Sequence, residues 1–203
     1  MRTENRGVTN AVRQDYAAIA HWVAQGARVL DLGCGDGTLL RQLREQRNAS
    51  GYGIEIAPAN IVACMRNGVN VIQMDLEAGL SGFADNAFDC VILSQTLQAM
   101  RHTELMMREM LRVGRQGIVT FPNFGYWRHR LQILSGHMPV SNRLPYQWFD
   151  TPNIHLCTLT DFEVFCAKLG VRILERLVLD EGHGVRVLPN LRGSLAIYRF
   201  EST

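Results

Sequence analysis

The sequence predicts an α/β fold: a seven-stranded, mostly parallel sheet with helices on both faces and one antiparallel strand. Three observations predict it. Val29-Leu30-Asp31-Leu32 reads as the end of a buried strand, and Gly33, Gly35 and Gly37 then make a tight turn into helical apolar spacing at Leu39, Leu40 and Leu43. Strand-like and helix-like segments alternate from there to about Phe121. The last two strands, Val171–Leu179 and Leu195–Phe200, are joined without a helix, and a parallel pair would need a crossover. They are therefore antiparallel.

The elements follow in order. Val12, Tyr16, Ile19, Ala20 and Val23 recur at helical spacing, giving a helix from Ala11 to Val23 that Gly26 ends. The helix after the glycine turn carries Arg41, Arg44 and Arg47 opposite its leucines, which reads as a solvated face. The second strand is Gly51–Ile56, with Pro58 opening the next helix, and the third is Val69–Gln73. Residues 79–86 form a loop before the fourth strand, Phe88–Leu93, which Asp89 starts in a structural pairing role. Glu104–Val113 is a helix whose methionines fill core, and Pro122 closes a fifth strand, Ile118–Phe121. Thr160 and Glu163 have capping-box spacing before a helix through Leu169 that Gly170 ends, and residues 180–193 form a loop.

The glycine turn narrows the ligand. Glycines permit backbone angles closed to other residues and let a ligand approach the main chain. Dinucleotide sites use Gly-x-Gly-x-x-Gly with pyrophosphate at the helix N-terminus. Here the third glycine comes one residue early, and Asp31 stands at the strand end. A carboxylate there repels pyrophosphate and suits a ligand carrying an ammonium group. Glu55, 22 positions after Gly33, ends the second strand, where an acid accepts hydrogen bonds from ribose hydroxyls. A structural alternative for Glu55 is an acid at the N-terminus of the helix that Pro58 opens. Asp75 has the corresponding alternative of a loop acid at a helix start.

The block Asp31-Leu32-Gly33-Cys34-Gly35-Asp36-Gly37 resembles the first motif of class I methyltransferases that use S-adenosylmethionine, and Phe88–Leu93 resembles their fourth-strand motif. The resemblance implies a Rossmann-like fold whose turn cradles the amino-acid end of S-adenosylmethionine or S-adenosylhomocysteine. It implies a cofactor-binding set of Asp31, Gly33, Cys34, Gly35, Gly37, Glu55, Ile56, Asp75, Leu76, Ser94 and Gln95. In that set Asp75 accepts from the adenine amino group and Leu76 supplies backbone contact. Ser94-Gln95 is not the Asn/Asp-Pro-Pro-aromatic turn of enzymes that methylate nucleobase or glutamine amino groups, and Phe121-Pro122-Asn123-Phe124 comes one strand too late to be it.

Composition bounds the rest. The 203 residues make one full domain, 1–203, and 21 basic against 19 acidic residues leave a formal charge of +2. That charge implies neither a nucleic-acid nor a membrane surface. Apolar runs are too short to span a bilayer, and Met1–Arg6 has no apolar run behind it, so no secretory signal is expected. The five cysteines, Cys34, Cys64, Cys90, Cys157 and Cys166, are scattered without a Cys-x-x-Cys and read as reduced thiols in the cytoplasm. No metal is expected: His129, His137 and His155 lack ligand spacing. Arg128-His129-Arg130 reads as a helix turn with a solvated basic face.

Residues of about 123–157 break the alternation with aromatic side chains and prolines, the pattern of a functional lid or binding surface. Phe121–Trp127, Leu144–His155, Cys157-Thr158 and Asp161-Phe162 resemble the MetW family of methionine-biosynthesis proteins, and the likeness runs from about Ala18 to Phe200. The resemblance implies bacterial, cytoplasmic methionine synthesis beside homoserine O-acyltransferase. It leaves two readings. In one, the protein binds S-adenosylmethionine and acts on the acyltransferase as activator or sensor, the insertion being a docking surface or lid. In the other, it is a methyltransferase on a small molecule or protein. Displacement at a sulfonium methyl needs chiefly alignment and exclusion of water. If a base takes part, His155 and Tyr146 are the candidates; His155 has the structural alternative of a hydrogen bond that staples the loop.

Overall fold

A computed structural model describes residues 14–203. The expected helix start, Ala11 to Arg13, lies outside the described residues. Helix α1 (Gln14–Trp22) precedes strand β1 (Arg28–Leu32), and α2 (Thr38–Arg47), β2 (Ser50–Glu55), α3 (Pro58–Arg66) and β3 (Val71–Gln73) follow. Next come β4 (Phe88–Ser94), α4 (Thr103–Val113) and β5 (Gly114–Pro122), then α5 (Trp127–Leu134) inside the irregular region. The chain closes with α6 (Leu159–Lys168), β6 (Val171–Asp180), β7 (His183–Gly184), α7 (Pro189–Arg192) and β8 (Leu195–Ser202).

All strands form one sheet in the order β3-β2-β1-β4-β5-β8-β6-β7. β1 to β5 run parallel to one another, and β8 runs antiparallel between β5 and β6. The sheet has 8 strands rather than the expected seven. The extra one, β7, pairs antiparallel with the end of β6 through Leu179↔Gly184 and Asp180↔His183. Glu181 (φ 46°) and Gly182 (φ 89°) are both left-handed, which is the geometry of a two-residue hairpin turn. Glu-Gly is a weaker signal for that turn than Asn-Gly, so the segment reads as loop in the sequence.

Burial alternates along the strands as a covered sheet requires. Leu30, Leu32, Val91 and Leu93 enter one apolar layer with Met106, Met107 and Met110 of α4. Val29, Cys90, Ile92 and Ile118 enter the other with Ile19, Leu39 and Leu43. The methionines are core, as expected, whereas Leu105 of α4 is 49% exposed. Phe162 of α6 sits with its ring 4.9 Å from Phe121 and 4.7 Å from Tyr198.

Two local expectations shift. The capping box of α6 is Thr158 with Asp161: Thr158 Oγ1 accepts from Asp161 N at 3.3 Å, and Asp161 Oδ2 accepts from Thr158 N at 3.1 Å. Thr160 instead receives the Asn190 amide at 3.0 Å, and Glu163 binds Arg176 and the Tyr198 hydroxyl. The α2 arginines are not merely solvated. Arg44 donates to the Gly68 carbonyl at 2.6 Å, and Arg47 donates to that of Ala20.

Candidate functional site

Sheet order reverses between β1 and β4, and in open α/β sheets ligands bind outside the C-terminal tips of the strands at such a switch point. The glycine turn lies there. Gly33 (φ 72°) could not carry a Cβ, which would sit 2.8 Å from Thr96 Oγ1 in the segment after β4. Gly35 (φ 57°) differs: a Cβ there meets nothing within 4 Å, so its outer side is open. Gly37 caps α2 in the left-handed conformation.

The amides of this turn are already committed. Gly33 N and Cys34 N both donate to Ile54 O, at 2.9 and 3.0 Å, and Gly37 N donates to Cys34 O at 3.0 Å. Gly35 N donates to Glu55 Oε2 and Thr38 N to Asp36 Oδ1, each at 3.0 Å. A phosphate cradle needs such N–H groups free to point at the anion. This turn offers few of them and places carboxylates beside itself.

Asp31 is 2% exposed near the tip of β1, in register with Gly53 of the neighbouring strand. Glu55 is 9% exposed at the tip of β2. Its Oε1 accepts from Ile56 N (2.8 Å) and Ala57 N (2.9 Å), and its Oε2 accepts from Gly35 N (3.0 Å) and Asn60 Nδ2 (3.2 Å). Glu55 therefore fills the helix-start role set out as its alternative and also ties that helix to the glycine turn. Ile56 is 56% exposed beside it. Asp75 is exposed past β3 and caps the turn Leu76–Ala78, accepting from Glu77 N at 2.9 Å, while Leu76 is half-buried. Cys34 is 5% exposed with its Sγ 3.7 Å from that of Cys64. Burial, reinforced by Asp31, pushes its thiol far above the usual range, which favours the protonated thiol over the thiolate.

At the tip of β4, Ser94 is buried, and its Oγ lies 3.2 Å from Asp15 Oδ2 and 3.1 Å from Thr120 Oγ1. Gln95 follows with φ 53°, an uncommon conformation for glutamine, and its N donates to Thr120 O at 2.9 Å. Strain of this kind gathers at functional sites. Asp15, Asn60 and Thr96 are site residues that sequence reasoning missed. Asp15 left a signal: it stands four residues before Ile19 and eight before Val23, an acid on the apolar face of α1.

The candidate bases are not brought to the glycine turn. His155 is exposed, with Nε2 3.4 Å from the Arg101 carbonyl, and lines a separate cavity beside α4. Tyr146 is 46% exposed in the irregular segment after α5. His129, expected on a solvated basic face, is wholly buried, with Nδ1 3.2 Å from Asn123 O and Nε2 2.9 Å from Ser141 Oγ. Arg130 donates to the Gly125 carbonyl at 2.6 Å. Among the described residues no cluster of histidine, cysteine or carboxylate side chains could hold a metal, and no helix is long and apolar enough to cross a membrane.

Comparison with known proteins places this geometry in context. The family model described as "Methionine biosynthesis protein MetW" matches residues 13–200. A bifunctional methionine biosynthesis protein MetXA/MetW of Rhodopirellula baltica is 36% identical over 200 residues, which cover 92% of this chain and 32% of that protein. A ubiquinone/menaquinone biosynthesis C-methyltransferase UbiE of Pseudomonas aeruginosa is 32% identical over 135 residues, covering 60% and 46%. The chain thus spans a third to a half of the length of these relatives. Among solved structures, a SAM-dependent methyltransferase of Thermotoga maritima, described as a possible histamine N-methyltransferase, has a TM-score of 0.67 at 15% identity, covering 94% of this chain and 88% of that one. The [4+2]-cyclase SpnF has a TM-score of 0.65 at 19% identity, covering 93% and 80%. At such identities the likeness establishes a Rossmann-like methyltransferase fold, and the cyclase shows that methyl transfer does not follow from it.

Proposed function

The chain belongs to the MetW family of methionine biosynthesis proteins, and from that premise we propose that it binds S-adenosylmethionine and acts with homoserine O-acyltransferase. The observation that carries the cofactor reading is the glycine turn, whose amides are largely spent within the protein and whose flanks are carboxylates. That donor set suits an amino-acid end bearing an ammonium and a sulfonium, and it disfavours pyrophosphate. Asp31 would hold the ammonium end, the open side of Gly35 would admit the ligand, and Glu55 with Ile56 would border the ribose. Asp75 and Leu76 would border the adenine, while Ser94 and Gln95 would close the crevice from the β4 side. When bound, the cofactor supplies an electrophilic methyl group.

The partner reading rests on the bifunctional relative, whose name joins MetXA to MetW in one chain. It also rests on the insertion. Trp148 (72% exposed), Phe149 (69%) and Leu134 (82%) are large apolar side chains displayed together with Leu131 and Trp127 on one chain segment. Exposed apolar side chains concentrated in one segment support reading it as an interaction surface. The end of the insertion is tied to the site, since Ile154 N and His155 N both donate to Gln98 O, at 2.7 and 3.0 Å, in the segment after β4. We place this activity in the cytoplasm, with the pathway. The similarity to a C-methyltransferase keeps a second reading, methyl transfer to a small molecule or protein. Single-turnover labelling of a cell extract with methyl-labelled S-adenosylmethionine tests it.

The main test mixes the purified protein with homoserine O-acyltransferase. The reading expects co-elution and an acylation rate that changes when the protein is added. Separate elution with an unchanged rate contradicts it.

A further inference from the structure

A cavity of about 770 Å³ lies between α4 and α6, apart from the glycine turn. That is within the range of small-molecule sites, roughly 300–1,000 Å³. Leu97, Leu105, Phe121, Phe162 and Phe165 give it an apolar wall. Two polar groups on that wall stand out. Gln98 Oε1 is buried with no hydrogen-bond partner among the described residues. Its amide cannot be turned round, because Nε2 donates to Gln95 O at 2.8 Å and exchange would set two oxygens together. Arg101 lines the cavity, and its guanidinium pairs with no carboxylate among the described residues. The acids in or beside the lining are already engaged: Glu104 holds Arg108 at 3.0 Å, both of them lining residues, Glu77 meets His102 at 2.9 Å, and Asp161, also in the lining, caps α6.

A buried acceptor without a donor is costly, and a ligand that supplies the donor removes that cost. An unpaired guanidinium at the rim of an apolar cavity selects a carboxylate. We propose that this cavity binds a small apolar carboxylic acid carrying one N–H donor, an N-acyl amino acid being the chemical class that fits. The carboxylate meets Arg101, the N–H meets Gln98 Oε1, and the acyl chain lies between α4 and α6. The site is independent of the cofactor reading. Gln98 also links it to both neighbouring regions, through its side chain to Gln95 and through its carbonyl to Ile154 and His155.

Titration calorimetry with three probes tests the proposal: N-octanoylglycine, its methyl ester, and O-octanoylglycolate, in which an ester oxygen replaces the N–H. The expected result is saturable one-to-one binding of N-octanoylglycine. Each of the other two probes binds at least tenfold more weakly. Arg101→Gln removes the difference between acid and methyl ester, and Leu105→Trp, which fills the cavity from an exposed position, abolishes binding while the thermal midpoint is kept. Absence of saturable binding to the wild-type protein overturns the proposal, as does unchanged binding by both variants. If residues 101–108 and 155–165 instead gain hydrogen-exchange protection only when homoserine O-acyltransferase is added, the groove is a protein interface and the proposal fails.

Discussion

Glu55 serves fold and site with one carboxylate. A carboxylate offers about four acceptor positions, and here Gly35, Ile56, Ala57 and Asn60 supply four donors. On the proposed cofactor reading a ribose hydroxyl would replace one of them, and the Asn60 contact, at 3.2 Å, is the longest. Asn60→Ala is therefore expected to keep or raise affinity for S-adenosylmethionine. Glu55→Gln, which loses charge-assisted hydrogen bonding, is expected to lower it by about 1.5–3 kcal/mol. Equilibrium dialysis measures both; equal loss in the two variants contradicts this account of the carboxylate. Asp31 and Glu55 were legible in the sequence because strand tips and a glycine turn fix their positions. Asn60 and Thr96 were not, since each matters only through a contact that the folded chain creates. Asp15 lies between: its place on an apolar face was visible, but Ser94, Gln95 and Thr120, which it meets, are 79, 80 and 105 residues away.

His129 is a residue whose role only folding reveals. Asn123 O is a carbonyl and can only accept, so Nδ1 carries a proton, and Nε2 lies 2.9 Å from the Ser141 hydroxyl, which can serve as its donor. Burial lowers its pKa from the usual 6.5. The unfolded chain then binds a proton that the folded one refuses, so stability is full above about pH 6.5 and falls as the pH drops below it. Thermal midpoints should follow that course, and His129→Gln should flatten it. The same slope in both proteins contradicts the assignment.

At the scale of elements, sequence and structure differ where two residue choices serve one purpose. Aspartate satisfies the N3 position of a capping box as glutamate does, so Thr158 with Asp161 caps α6 although Thr160 with Glu163, at the same spacing, has the more usual residue at N3. Thr158→Ala should cost about 1 kcal/mol and Thr160→Ala less, read by urea denaturation. The reverse order would restore the sequence expectation. The hairpin of β6 and β7 escaped notice for a similar reason: Glu181 takes a left-handed angle more usual for asparagine or aspartate. The alternation of strand and helix, by contrast, was plain from apolar periodicity, because burial on both faces of a sheet leaves no freedom in it.

For the whole molecule, the parallel half of the sheet sets the carboxylates of β1 and β2 beside one glycine turn, and the insertion hangs from the segment after β4. The family and fold were legible because the glycine block and the insertion are contiguous words in the sequence. The cavity between α4 and α6 was not, because its walls come from segments that meet only in three dimensions. The account turns on what the glycine turn holds, and calorimetric titration of S-adenosylmethionine and of NAD into the wild-type protein and Asp31→Asn measures that directly. It predicts saturable binding of S-adenosylmethionine, weakened at least about tenfold in the variant, and no binding of NAD. No heat from S-adenosylmethionine, equal affinity in the variant, or binding of NAD in its place would contradict it.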